Sequence, residues 1–191
     1  MKSAEDLSAL VSSRICHDLI SPIGAIGNGL ELLLMSHDAS SFGPEFALIQ
    51  DSVKKANAQI SLYRIAFGQA ASESSVSGIE IGRALNDCYG EGRIRVRQNL
   101  PTQIDRRSAK AALLGLMCLE RALPRGGDIR LTFQEDRWTL HATGDIRSLS
   151  FEAITAADPA DVQNSLFPIA VKAAGRTLSV TKGDRETTIN F

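Results

Sequence analysis

The sequence predicts an α+β protein in which a long N-terminal helical hairpin precedes an α/β sandwich, and three observations predict it. Apolar residues recur at spacings of three and four from Leu7 to Leu33 and again from Phe46 to Ala70. The segment between them is rich in helix breakers. Beyond Gly78, helical runs alternate with short period-two runs, which is the pattern of helices laid on a sheet.

In the first helix the stripe is Leu7, Val11, Ile15, Leu19, Ile23, Ile26, Leu30 and Leu33. Pro22 lies inside it, where it removes one backbone hydrogen bond, so one kinked helix is expected. His37-Asp-Ala-Ser-Ser-Phe-Gly-Pro44 is the turn, with Pro44 placed where a missing N–H costs nothing. Phe46, Ile49, Val53, Ala56, Ile60, Tyr63, Phe67 and Ala70 then form a heptad seam. Two helices alone bury little, so a second copy completing a four-helix bundle, and hence a homodimer, is expected.

The hairpin is assigned to residues 1–72 and the second unit to 78–191, across a polar stretch from Ser72 to Gly78. Ile79 and Ile81 open an amphipathic run, and Ile94 and Val96 alternate as a strand. Ala109 to Leu123 reads as a helix stopped by Pro124-Arg-Gly-Gly127. Ile129 to Phe133 and Trp138 to Leu140 form a strand pair around Glu135-Asp136, and Asp161 to Ala174 is a helix closed by Gly175. Leu178 to Val180 and Thr188 to Phe191 complete a mixed or antiparallel sheet.

Composition narrows the function. With 43% hydrophobic and 23% charged residues the chain is ordinary for a globular protein. A net charge of -1 supplies no field to draw it to nucleic acid or an anionic membrane. Leu32 to Met35, an unbroken run of four apolar residues, falls far short of a span of ~20, and MKSAEDL has no signal core, so a cytoplasmic protein is expected. Cys16, Cys88 and Cys118 are odd in number with no CxxC spacing, which favours small core residues over zinc or disulfides.

His17 stands two residues from both Ile15 and Leu19, and at ~100° per residue it lies opposite the apolar stripe, facing solvent. Ser13, Ser21, Gly24, Ala25 and Asn28 share its face and are all small, which fits docking of a large partner or close packing of another helix. Asp18 can fix the ring tautomer and leave one nitrogen as a nucleophile, the chemistry of phosphohistidine formation. Arg14, one turn earlier, could contact phosphoryl oxygens or a partner's acidic pocket, or be a solvated surface charge.

His17-Asp-Leu-Ile-Ser-Pro22 is similar to the H-box of histidine-kinase dimerisation domains, and the longer stretch from Arg14 to Leu32 resembles the ChpT-type histidine phosphotransferases of alphaproteobacteria. The resemblance in layout covers the whole chain. It implies a dimeric hairpin followed by a degenerate kinase ATPase-like sandwich, acting as a phosphotransferase between the receiver domain of a hybrid histidine kinase and a response regulator. By resemblance His17 is the phosphoacceptor and Asp18 the neighbouring acid. Arg14, Ser21, Gly24 and Asn28 are the receiver-binding candidates.

The resemblance also says where a nucleotide would sit. Leu113 to Leu123 carries no Asn to help hold magnesium, Ala142 stands where an adenine-reading carboxylate is expected, and Asp161 to Pro168 lacks a glycine-rich lid. No ATP binding, no cofactor and no metal of the chain's own are therefore expected, with magnesium supplied by the receiver. His37 and His141 lack partners at ligand spacing. Two rivals stand: an ATP-dependent histidine kinase with a divergent pocket, and a dimeric scaffold or inhibitor of a sensor kinase.

Overall fold

A computed structural model describes residues 4–35, 43–69, 74–90, 92–147, 149, 151 and 158–191. The turn expected at 37–44 lies mostly outside them, as do Ala70 and the first two residues, 72 and 73, of the interdomain stretch. The α+β class expected from the sequence holds.

Helix α1 (Ala4–Met35) runs unbroken through Pro22, and α2 (Gly43–Ala66) packs along it. Gly29 lets the two approach, since a Cβ there would sit 2.7 Å from Cγ1 of Ile49. The expected seams divide in two. Ile49, Ala56 and Tyr63 turn away from solvent, whereas Phe46, Val53 and Ile60, seven residues apart, lie exposed, as do Ile20, Ile23, Leu30 and Leu34 of α1. By length and mean hydropathy α1 would also pass as a membrane-crossing helix over Glu5–Met35.

The second unit begins with β1 (Ser75–Ser77) and α3 (Gly78–Tyr89), whose first turn is capped by Ser77 Oγ accepting from Glu80 N–H at 3.2 Å. Strand β2 (Ile94–Asn99) and β3 (Gln103–Asp105) follow, and β3 pairs antiparallel with β1. Neither β1 nor β3 is visible in the sequence pattern. Three residues are too few to show a period, and Ser75–Ser77 falls in a stretch that reads as polar linker.

Helix α4 (Arg106–Ala122) starts a turn earlier than expected because Asp105 Oδ1 accepts from Ser108 N–H at 2.9 Å. Strands β4 (Gly127–Gln134) and β5 (Arg137–Gly144) form the expected hairpin, with Glu135 and Asp136 at positive φ (50° and 57°) as a tight primed turn requires. A short 3₁₀ turn (Pro159–Asp161) leads into α5 (Val162–Ala173), and Gly175 at φ +72° closes it. Strands β6 (Ser179–Lys182) and β7 (Glu186–Asn190) end the chain.

The main sheet has five strands in the order β2-β4-β5-β7-β6, with β2 and β4 parallel and the other pairs antiparallel. Its inner face presents Ile129, Leu131, Trp138, Leu140, Ala142 and Ile189 at every second position. Every residue of α4 from Ala111 to Leu119 is buried, the signature of a helix covered on all sides. It lies between that sheet and the base of the hairpin, where Leu62, Tyr63 and Ala66 of α2 join Leu85 and Met117 in one apolar cluster. The hairpin and the sandwich thus share a core.

Among the cysteines, Cys118 is in that core and Cys88 is half-buried, but Cys16 is exposed, contrary to the expectation for all three. Its neighbour His17 is exposed as well, and Cys16 shares that solvent side.

Candidate functional site

His17 stands out from α1 with 82% of its side chain exposed. Its Nδ1 lies 3.1 Å from Oδ1 of Asp18, so a proton on Nδ1 is held by the carboxylate and Nε2 faces solvent with its lone pair free. Asp18 is the opposite case. Only 14% exposed, it receives two further donors on its other oxygen, Arg14 Nε at 2.5 Å and the hydroxyl of Tyr63 from α2.

Arg14 does not point at solvent, as a contact to a partner would need. Beyond Asp18 its Nη1 donates at 2.9 Å to the carbonyl of Ala160 in the 3₁₀ turn, which also accepts from Gln163 Nε2 at 2.7 Å. Burial lowers its pKa, but Asp18, Tyr63 and Glu120 outweigh that, and the net shift is upward. Ser21, Gly24 and Asn28 are exposed on the His17 face as expected. A Cβ at Gly24 would meet nothing within 4 Å, so among the described residues no helix packs there, and the packing explanation for this small-residue face fails within one chain.

Beside His17 a cleft of about 690 Å³ opens between the hairpin and the second unit, with Ser21, Leu48 and Gln59 on one wall and Met117, Glu120 and Arg93 on the other. Tyr89 Oη donates to Glu120 Oε2 at 2.9 Å. Burial, ahead of its neighbours, raises the Glu120 carboxyl and pushes the Cys88 thiol up to about 12, which leaves that thiol unreactive.

Because Glu120 binds its proton more tightly folded than unfolded, stability should fall as pH rises from the ordinary Glu range through the raised value. Glu120→Gln, permanently neutral and still able to accept from Tyr89, is expected to flatten that slope and melt above the wild type at its alkaline end. Melts from about pH 4 to about pH 8 test this, and an unchanged slope refutes it.

Sequence reasoning missed Tyr63 and Glu120. Tyr63 falls in the packing seam by its spacing, and only the hydroxyl at the end of a seam residue signals more. His141 keeps its bland reading: Nδ1 is 2.9 Å from Thr188 Oγ1 across the β5–β7 pair, while His37 lies outside the described residues. Among the described residues no three His, Cys, Asp or Glu side chains converge on a metal-sized site. Ala142, which stands where the resemblance places an adenine-reading carboxylate, is fully buried in β5.

Residues 79–186 match the family described as the histidine phosphotransferase C-terminal domain. The chain belongs to this family. Among its relatives, the protein phosphotransferase ChpT of Brucella abortus (strain 2308) is 36% identical over 140 residues, a match that takes in 69% of this chain and 63% of that protein, so the chain spans somewhat under two thirds of the curated relative's length. A solved structure of a bacterial phosphotransferase superposes over 100% of this chain and 97% of that one, with a TM-score of 0.79 and 27% identity. The blue-light activated histidine kinase of Erythrobacter litoralis EL346 aligns with 92% of this chain and 58% of its own at 19% identity and a TM-score of 0.42. Family membership rests on the second unit, while the superposition with the bacterial phosphotransferase extends the likeness through the hairpin that carries His17.

Proposed function

We propose that this protein is a histidine phosphotransferase of a two-component phosphorelay, carrying a phosphoryl group between receiver-domain aspartates on Nε2 of His17. The observation that carries this is an imidazole presented to solvent with Nδ1 tied to a buried carboxylate. The Nε2 lone pair attacks the phosphorus of a receiver's aspartyl phosphate in line. The bond from phosphorus to the aspartate oxygen breaks, and that carboxylate leaves with the electron pair. The imidazolium that results keeps its Nδ1 proton against Asp18, which offsets the positive charge. A second receiver's aspartate reverses the step.

Transfer of this kind depends on positioning and charge neutralisation. Magnesium is assigned to the receiver's acidic pocket, and ATP is given no part. The exposed small residues Ser21, Gly24 and Asn28 seat the receiver beside the cleft, while Arg14 serves from inside. Incubation with a radiolabelled phosphorylated receiver, in parallel with labelled ATP, tests the whole scheme: label should come from the receiver alone. Label from ATP would make the protein a kinase, and none from a panel of receivers would leave a scaffold.

The active form is assigned as a homodimer working in the cytoplasm. Ile20, Ile23, Leu30 and Leu34 of α1 and Phe46, Val53 and Ile60 of α2 form an exposed apolar face whose heptad spacing suits a four-helix bundle about a two-fold axis. Light scattering should give twice the chain mass, and Ile60→Glu should shift the equilibrium to monomer by at least tenfold in dissociation constant, since it buries a charge in the seam. A monomeric wild type overturns the assignment.

A further inference from the structure

We propose that Tyr63 is a positioning residue for phosphoryl transfer, holding Asp18 so that His17 keeps its proton on Nδ1 and offers Nε2. The inference rests on the relay reading of His17 and deepens it. Tyr63 lies in α2, 45 residues from Asp18 in the chain, and its hydroxyl donates to Asp18 Oδ2.

The direction of that hydrogen bond is settled by its neighbours. Gln59 Nε2 donates to Tyr63 Oη at 3.1 Å, one helical turn away, so a lone pair of the hydroxyl is taken and its proton goes to the carboxylate. Arg14 Nε fills the same Oδ2 at 2.5 Å. With both donors on one oxygen, Asp18 cannot exchange its oxygens without losing two charge-assisted bonds, and Oδ1 stays turned to the His17 ring.

Packing alone does not ask for the hydroxyl. The ring of Tyr63 is 7% exposed and sits 5.4 Å from that of Phe67, a contact that phenylalanine would make as well. Burial, followed by the bond to Asp18, raises the Tyr63 hydroxyl, so it stays a donor over the whole working range of pH.

His17 itself is too exposed to be held by packing. Among the described residues Asp18 is the group hydrogen-bonded to its ring, so whatever orients Asp18 orients the nucleophile. The clamp has two jaws. Tyr63 reaches Asp18 from α2, and Arg14 is anchored on the Ala160 carbonyl of the second unit, which makes that unit part of the phosphoacceptor rather than an appendage.

Tyr63→Phe in the full-length chain tests the proposal with two readouts that a packing role would leave alone. The first is the tautomer of His17, from ¹⁵N shifts of the ring in histidine-labelled protein without a receiver. The second is transfer from a radiolabelled phosphorylated receiver, with the rate at saturation separated from the half-saturating concentration. The variant should lose the preference for the Nδ1–H form, and its saturating rate should fall roughly tenfold with the half-saturating concentration unchanged, as expected for one hydrogen bond to a charged group. Gln59→Leu, which removes the donor to Tyr63 at the cleft wall, should shift both readouts the same way by less.

Unchanged tautomer populations, or an unchanged saturating rate, overturn the proposal, as does a rise in half-saturating concentration alone. If wild type takes no label from any receiver, the relay reading fails by itself. The tautomer comparison still decides whether Tyr63 holds Asp18.

Discussion

His17→Ala should abolish uptake of label from a phosphorylated receiver while leaving the fold intact. The side chain is 82% exposed and, among the described residues, its ring hydrogen bond is to Asp18, which stays satisfied by Arg14 and Tyr63 after truncation. A surface change of this kind costs within about 0.5 kcal/mol, so the melting temperature should move by about 2 °C or less. Transfer, in contrast, loses its nucleophile altogether and should fall by at least ~10³-fold, to background. His141, bonded to Thr188 inside the sheet, is in no position to substitute. Label retained by the variant, stable to alkali and labile to acid as phosphohistidine is, would move the phosphoacceptor elsewhere.

The largest expected effect on stability is that of Trp138→Ala. Trp138 is 1% exposed on β5, with its ring 5.0 Å from Phe133 and 6.4 Å from Phe191, and its indole N–H donates to Ser108 Oγ at 2.6 Å on α4. Truncation opens a cavity between sheet and helix and leaves a buried hydroxyl without its donor, at a cost of about 3–5 kcal/mol. For a chain of this size the melting temperature should fall by about 10 °C, and chemical denaturation should reproduce the loss; a cost under about 1 kcal/mol would mean that the core is not organised around this ring. The effect should reach the hairpin too. Helix α4 carries Ser108 near one end and packs on α2, with Met117, Leu62 and Tyr63 in one apolar cluster, so loosening it loosens the jaw that holds Asp18.

Much of this architecture is legible from residue order because it rests on local periods. The spacing of Leu7 to Leu33 predicts α1 through its proline, the alternation from Ile129 to Leu140 predicts β4 and β5, and Gly175 marks the end of α5 at the left-handed position it occupies. The exposure of His17 follows from its angular offset from Ile15 and Leu19 alone. Even the pairing of His17 with Asp18 is a nearest-neighbour fact.

What sequence order leaves open is set by contacts between residues far apart in it. Arg14 could face a partner or the protein, and the carbonyl of Ala160, 146 residues on, decides for the protein. Tyr63 is one apolar seam residue among eight until α2 is laid on α1, and only then does its hydroxyl meet Asp18. The three-residue strands β1 and β3 exist because they pair with each other, not because either has a period of its own. The sequence by itself therefore determined the helices, the main strands and the face on which His17 stands, since each is written in spacings shorter than one element. The clamp on Asp18 was decided by the tertiary structure, because a hydrogen bond depends on where two atoms meet and no local pattern records where a distant helix will lie.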